Sequence, residues 1–411
     1  MLASLLAAAA LPAQATTLDE AIAAALHHAP EIEAASAEAD AADARVRQAE
    51  GNALPSAAVT GTIGIGRLDP KGFFGLGAAD VTPRAAQVTI EQPLFSGGRI
   101  AAGIAQTRAG SAVARAGEQM TRDQIVLATV EAYGQVLTTR KMVVLYEQLA
   151  AQTAEIRRQA GLRFEAGESP RTDVAQAEAR QAEAIAALEA ARGAAVSAAA
   201  RFTNLTGLAP DDLAPLPTSP ALPASLDAAL DLARSGNPAI AQAEATLKAA
   251  EAAARGARAE RLPTIGAFAE AATVRDQFFP DYRADGVTVG LRARWQLFSG
   301  GRVAAKVTES DSSVIAAQAR LRAAKSAVDE AIIGAFQGVT TAALVEAAAA
   351  RQAEAAASAR DSVRHEVRVG MKPQLDLLDA EREATAAAVG EVRAQSERIL
   401  AAYRLLALIG D

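Results

Sequence analysis

The chain of 411 residues has no cysteine. Disulfides, thiolate metal sites and a lipid-carrying N-terminal cysteine are therefore all excluded. Imidazole is almost as scarce, with only His27, His28 and His365. His27 and His28 are adjacent, so on a helix they point to different faces and read as solvated side chains rather than metal ligands. The formal net charge is −7, which argues against a nucleic-acid partner. Beyond the first residues no stretch has about 20 consecutive apolar side chains, so the sequence offers no membrane-spanning helix. Phosphate-binding loops, nucleophile elbows and metal-ligand clusters are missing too, and with them any sign of an enzyme or a cofactor.

What the chain does have is a repeat. Leu94-Phe95-Ser96-Gly97-Gly98-Arg99 recurs unchanged as Leu297-Phe298-Ser299-Gly300-Gly301-Arg302. Self-similarity of this kind means that both halves follow one plan. Leu18-Asp19 matches Leu226-Asp227, Leu54-Pro55 matches Leu262-Pro263, Gly167 matches Gly370, Pro170 matches Pro373 and Asp173 matches Asp376. The repeats are residues 16–207 and 225–411, and the first carries a few extra residues in the Gly- and Pro-rich run 66–84. Between the repeats, residues 208–224 hold Pro210, Pro215, Pro217, Pro220 and Pro223. Proline at that density cannot be helix and reads as an extended strap. Residues 1–15 contain a short apolar stretch and then Ala13-Gln14-Ala15, the small-x-small pattern of a secretory signal cleaved before Thr16. A disordered cytosolic terminus is the plainer alternative.

Each half reads helix, strand, strand, long helix, turn, helix. Thr17-Leu18-Asp19-Glu20 has capping-box spacing and opens a helix towards Gly51; its counterpart opens after Ser225. Strands are expected over 53–66 and 85–95 in the first half, and over 262–274 and 285–298 in the second. The last is the clearest. Val287, Val289, Leu291, Ala293 and Trp295 share one face, and Thr288, Gly290, Arg292 and Arg294 the other. Period two with arginines on the polar face fits a sheet that is apolar outside and wet inside. The strands around 86–94 and 262–273 are less regular, and Glu91 and Glu270 strain their pattern. Four strands cannot close a membrane barrel, so a barrel calls for several chains.

Long helices are expected after each copy of the six-residue motif, over 98–166 and 301–369. Neither Ile100 to Ala166 nor Val303 to Val369 contains proline. A continuous helix of that length spans about 100 Å, and average helices have only about 11–12 residues, so special packing is required. Val126, Val130, Tyr133 and Leu137 step as a coiled-coil seam, with alanine around them to let helices approach closely. A soluble alanine-rich rod explains these helices but not the strands. Tight turns lead on to helices over 170–207 and 373–409, with Gly167 as a left-handed end, Ser169 as N-cap and Pro170 as first helical residue. Past the second turn, Asp376 and Asp379 share one helix face. Acids there also simply complement the helix dipole.

This order of elements, the duplicated motif and the paired glycine turns resemble the TolC family of outer-membrane efflux proteins, over about residues 17–410. The resemblance implies an α+β membrane protein and a homotrimer. Each chain would lend four strands to a 12-stranded barrel in the outer membrane of a Gram-negative bacterium, continued by an α-helical coiled-coil tunnel through the periplasm. It implies efflux of small toxic compounds, or type I secretion of proteins, with a periplasmic adaptor (membrane fusion) protein and an inner-membrane transporter. On this resemblance Leu94, Phe95, Gly97 and Gly98, and again Leu297, Phe298, Gly300 and Gly301, are barrel-to-tunnel joints. Arg163, Phe164, Gly167 and Gly370 are adaptor-docking tips. The first tip meets the family's Arg-aromatic-x-x-Gly pattern, while the second has Glu366 and Val367 in those places. Asp376 and Asp379 match carboxylates that line the closed aperture. Lys372 aligns with a basic latch residue whose partners fall at Thr172 and Asp173. A periplasmic helical scaffold without a pore is the alternative. Phe73-Phe74 and Phe278-Phe279 lie in the strand–strand connections, where they plug the mouth, meet lipid headgroups or pack within the loop; Trp295 suits an interfacial aromatic belt.

Overall fold

The computed structural model describes residues 15–69, 77–217, 220–278 and 280–410. The signal-like segment up to Gln14, and Phe73, Phe74 and Phe279, lie outside them. The helices are α1 (Leu18–His28), α2 (Pro30–Gly51), α3 (Arg99–Glu165), α4 (Arg171–Thr206), α5 (Leu226–Gly236), α6 (Pro238–Ala259), α7 (Arg302–Arg368) and α8 (Gln374–Ile409). The strands are β1 (Ser56–Ile63), β2 (Gly66–Leu68), β3 (Ala79–Val81), β4 (Arg84–Phe95), β5 (Thr264–Arg275) and β6 (Arg283–Arg294). The chain divides into two compact units, one of Ser36–Gly117 with Ile240–Ala324, the other of Glu118–Ala239 with Lys325–Asp411 and the segment ending at Ala35.

The first of these units holds an antiparallel sheet in the order β1-β4-β5-β6, which leaves β1 and β6 as edges. Its register sorts the side chains by face. Val59 lies opposite Val88, Val88 opposite Ala271 and Ala271 opposite Val287. On the other face Ser56, Glu91, Phe268 and Gly290 form one row, and Ala58, Thr89, Glu270 and Thr288 the next. Glu91 and Glu270, awkward in sequence, therefore both belong to the polar face. The apolar face is bare: Val59, Val287 and Val289 are each more than three-quarters exposed. It ends in charge, where Arg275 on β5 donates to Asp285 on β6 at 2.9 Å.

Two features of this unit were not expected from sequence. The extra residues of the first half build a small ladder of β2 and β3, bridged by Arg67 and Asp80 at 3.7 Å. β6 stops at Arg294 rather than running to residue 298, and the Trp295 indole N–H donates to the Arg261 carbonyl at 3.0 Å. Phe278 meets Tyr282 edge-on at 5.1 Å within the loop and is otherwise exposed.

The second unit is helical. The Thr17 capping box forms as expected, with Glu20 N–H donating to Thr17 Oγ1 at 3.3 Å and Thr17 N–H to Glu20 Oε2 at 2.8 Å. The helix does not run on to Gly51. Pro30 has no N–H and crowds the residue before it, so Ala29 turns extended (φ −68°, ψ 118°) and α1 ends there. Asn237 before Pro238 repeats the break between α5 and α6. Among its described residues the strap has no helix, as expected, and Leu213 pairs with Thr16 in a parallel bridge. Thr16 N–H donates to the Asp212 carbonyl and Ala214 N–H to that of Thr16, both at 2.9 Å. The Tyr133 hydroxyl lies 2.6 Å from the Ala214 carbonyl and 2.9 Å from that of Thr16. Its ring is fully buried edge-on to Phe202, in a core with Val130, Val136, Leu213 and Ile399. Burial pushes the phenol up to about 12, so it stays a neutral donor. By length and composition alone, α7 contains a stretch apolar enough to cross a membrane; that stretch is almost entirely unburied in the single chain.

Candidate functional sites at the strand-to-helix joints and the helix tips

At both joints two successive glycines take left-handed backbone: Gly97 and Gly98 have φ of 61° and 88°, Gly300 and Gly301 of 61° and 82°. A Cβ resists that conformation, which is why the motif needs glycine where strand turns into helix. Ser96 Oγ accepts from Ile100 N–H at 3.3 Å and Ser299 Oγ from Val303 N–H at 3.4 Å, so each satisfies a first-turn donor. Identical in sequence, the joints differ in packing. A Cβ on Gly97 would lie 2.7 Å from Leu262 Cβ and 3.0 Å from the Ala259 carbonyl, whereas Gly300 faces open space. Leu94, Phe95, Leu297 and Phe298 are all exposed.

The halves also exchange charge below the joints. Glu50 on α2 meets Arg108 on α3 at 2.6 Å, and at the equivalent places Arg258 on α6 meets Asp311 on α7 at 2.6 Å. Glu260, just past α6, bonds Lys306 and lies 3.8 Å from Arg302. Lys306 chiefly, with Arg302 and Arg99, holds its carboxyl below the usual range. The closing arginines of the two motif copies thus act on one carboxylate. On the sheet's polar face, the Arg292 guanidinium sits 4.6 Å from the Phe268 ring centre and reaches over β5 to bond Glu91 on β4.

Both tips close with one motif. Glu168 N–H donates to the Arg163 carbonyl at 2.8 Å and Gly167 N–H to that of Phe164 at 2.9 Å. Met371 and Gly370 repeat this onto Glu366 and Val367 at 2.8 and 3.1 Å. These are Schellman ends, with Gly167 and Gly370 at φ of 76° and 81°. Ser169 is not the N-cap. Pro170, in extended backbone (φ −75°, ψ 157°), holds that place without a side-chain bond, and α4 starts at Arg171. Phe164 is 44% exposed while its counterpart Val367 is buried, so the two tips offer different surfaces.

The charged residues at the tips pair differently from the sequence expectation. Lys372 Nζ forms an ion pair with Glu366 Oε2 at 2.9 Å. Among the described residues it has no such pair with Asp173, and Thr172 is not brought to it. The physical reason is local: Glu366 and Lys372 flank the same Schellman turn and meet across it. Glu366 raises the Lys372 pKa. Asp379 is held by Arg180 at 3.2 Å, Arg180 also meets Glu183 at 3.0 Å, and Arg382 approaches Glu183 at 3.7 Å. This chain of four links α4 to α8. Asp376 is half-buried nearby, and deeper on α8 the buried Glu381 bonds Arg364. Sequence reasoning named Glu366 without its partner and missed Arg180, Glu183 and Arg382. The Arg180–Glu183 spacing of three was a readable signal, whereas the Arg180–Asp379 pair depends on how α4 and α8 pack.

The family described as outer membrane efflux protein matches residues 21–208 and 229–411, one stretch in each repeat. The chain belongs to this outer membrane efflux protein family. It is 32% identical over 330 residues to the outer membrane efflux protein BepC of Brucella suis biovar 1 (strain 1330), covering 79% of this chain and 71% of that protein. Two solved structures share the fold. One is the CmeC outer membrane channel of Campylobacter jejuni, with a TM-score of 0.85 at 14% identity over 96% of this chain and 85% of that one. The other is the open state of the MtrE outer membrane channel of Neisseria gonorrhoeae, with a TM-score of 0.80 at 20% identity over 96% and 88%. An outer membrane efflux protein is a channel and not an enzyme. Membership therefore assigns this chain to the outer membrane.

Proposed function

We propose that three copies of this chain close into one channel-tunnel that carries small toxic compounds, secreted proteins or both out through the outer membrane. A periplasmic adaptor docks at the tips around Arg163, Phe164, Gly167 and Gly370, and an inner-membrane transporter supplies the energy. The observation that carries this reading is the sheet, whose edges β1 and β6 are open and whose apolar face is bare. Hydrocarbon tolerates no unpaired strand edge, so β1 of one copy must meet β6 of the next. Four strands from each of three copies give twelve. The face with Glu91, Glu270 and Arg292 then turns to water, and the face with Val59, Val287 and Val289 to lipid. A pore-free scaffold would leave that apolar face in water. The joints at Leu94–Gly98 and Leu297–Gly301 mark the change from lipid-facing strand to tunnel helix.

At the tips, Asp376 and Asp379 of three copies form two carboxylate rings that favour cations at the aperture. In the closed pore Lys372 leaves Glu366, bonds Thr172 and Asp173 across neighbouring helices and holds the tunnel shut. Membrane fractionation with unheated gel electrophoresis tests the assembly. The expected result is a heat-dissociable trimer in the outer membrane fraction; recovery wholly in the soluble periplasm, with no such band, supports the scaffold instead. Deleting the gene and comparing drug susceptibility with the secreted proteome separates the two cargo classes.

A further inference from the structure

A cleft of about 680 Å³ opens where the sheet meets the start of α3. Its size falls in the range of small-molecule sites. Its walls are of two kinds. Phe95, Ile104 and Phe268 supply an apolar side, and Arg99, Arg292 and Arg294 supply three guanidiniums. Glu91 is the one carboxylate in the lining, and Arg292 already bonds it while lying on the Phe268 ring. Among the described residues Arg294 has no ion pair, and Arg99 acts on Glu260 only from beyond ion-pair distance. The protein as a whole is acidic, so this concentration of cation at one place is local and directed.

We infer that the cleft is a transit site for amphipathic organic anions, molecules with a flat apolar body and one carboxylate or sulfonate. The body lies against Phe95 and Ile104, and the anionic group meets Arg294 and Arg99. Arg292, clamped between Glu91 and Phe268, shapes the floor. The charged strand residues of the lining, Glu91, Arg292 and Arg294, belong with Phe268 to the polar face of the sheet; Gln92, Ile265 and Ala267 reach the cleft from the other face, while the bare residues Val59 and Val287 do not line it. This favours a solute in the water-filled passage over a lipid headgroup. The inference rests on the channel reading for which side is wet, and it adds a charge preference at the joint to the cation-favouring tips.

The test is isothermal titration of the purified full-length protein in an uncharged detergent. The probes are 1-naphthalenesulfonate and 1-naphthylmethylammonium, which share a ring system and differ in charge. The sulfonate is expected to bind with a Kd of about 1 mM, the scale set by its size, and the ammonium not to bind measurably. Arg294→Ala is expected to weaken sulfonate binding about fivefold, Arg294→Lys to restore most of it, and Arg283→Ala at the far end of the strand to leave it unchanged. Equal binding of both probes, no binding of the sulfonate, or an Arg294→Ala protein that forms the normal gel band and binds like wild type would each overturn the inference. The titration does not depend on conduction. A conducting channel that binds the two probes alike sinks the cleft alone, and an anion-binding protein that never reaches the outer membrane sinks the channel reading alone.

Discussion

Lys372 and Glu366 face each other at 2.9 Å across the turn that ends α7. The residue that the family resemblance marks as a latch is thus already engaged within its own tip. In the account above, Glu366 and the pair Thr172–Asp173 compete for one ammonium group. Removing Lys372 should favour the open pore, and removing Glu366 should favour the closed one. In planar bilayers we expect severalfold more frequent opening for Lys372→Ala and less frequent opening for Glu366→Gln. Equal opening of wild type and Lys372→Ala would remove the latch from the account.

The same pair sets an alkaline limit. The Lys372 pKa is raised, chiefly by its contact with Glu366. A raised cation pKa means that the interaction is fully present below the ordinary lysine value and is lost as pH climbs past the raised one. The Lys372–Glu366 contact should therefore persist through neutral and moderately alkaline pH and fail only above the usual lysine range. Glu366→Gln should bring the titration of the Lys372 ammonium down towards the ordinary lysine value, as NMR of labelled lysine recorded against pH will show.

The joints, identical in six residues, should respond unequally to one methyl group. Gly97 and Gly300 both sit at φ 61°, which costs an alanine about 1–2 kcal/mol. Only at Gly97 does the added Cβ meet Leu262 and the Ala259 carbonyl, and overpacking adds about 1–3 kcal/mol. Gly97→Ala should lower the temperature at which the trimer band dissociates clearly more than Gly300→Ala does.

Much of this was legible in sequence because it is local. Left-handed glycines, prolines and period-two alternation act through backbone sterics, so the joints, both tip turns, the long helices to within a residue or two and the four barrel strands could all be read. The breaks at Pro30 and Pro238 obey the same rules and were legible too, yet the longer helix was expected. The misses elsewhere are of another kind. Ser169 looked like a cap by type, but Pro170 takes the cap position by its fixed backbone. Arg180 reaching Asp379, and Arg292 reaching Glu91 over Phe268, join residues far apart in the chain, and no periodicity encodes which long side chains meet.

Tyr133 should matter to the strap more than its single hydroxyl suggests. It lies within reach of the carbonyls of Thr16 and Ala214, on the two segments it holds together. Tyr133→Phe takes this donor from the part-buried Ala214 carbonyl, while that of Thr16 keeps Ala214 N–H, at a cost of about 1 kcal/mol. Thermal unfolding of the purified protein should show the loss, and proteolysis should cut the strap faster.

Glu381 and Arg364 offer an asymmetric test. The Glu381 side chain is 3% exposed and that of Arg364 38%. Arg364→Met strands a buried carboxylate and should cost about 3 kcal/mol, whereas Glu381→Gln returns Arg364 towards water and should cost about 1 kcal/mol. Dissociation temperatures of the two variants give the order.

The central claim is that β1 of one copy pairs with β6 of the next inside the outer membrane. Within one chain β4 and β5 lie between them, three strand spacings of about 4.8 Å, too far for a disulfide. The natural chain has no cysteine, so an introduced pair reports only on itself. The decisive measurement is oxidation, in isolated outer membranes, of a chain carrying Thr60→Cys on β1 with one cysteine scanned through positions 284–292 of β6. The account expects at least one register to give cross-linked dimers and trimers and nothing larger. A chain that stays monomeric at every register, or a ladder that stops at dimers, would contradict it.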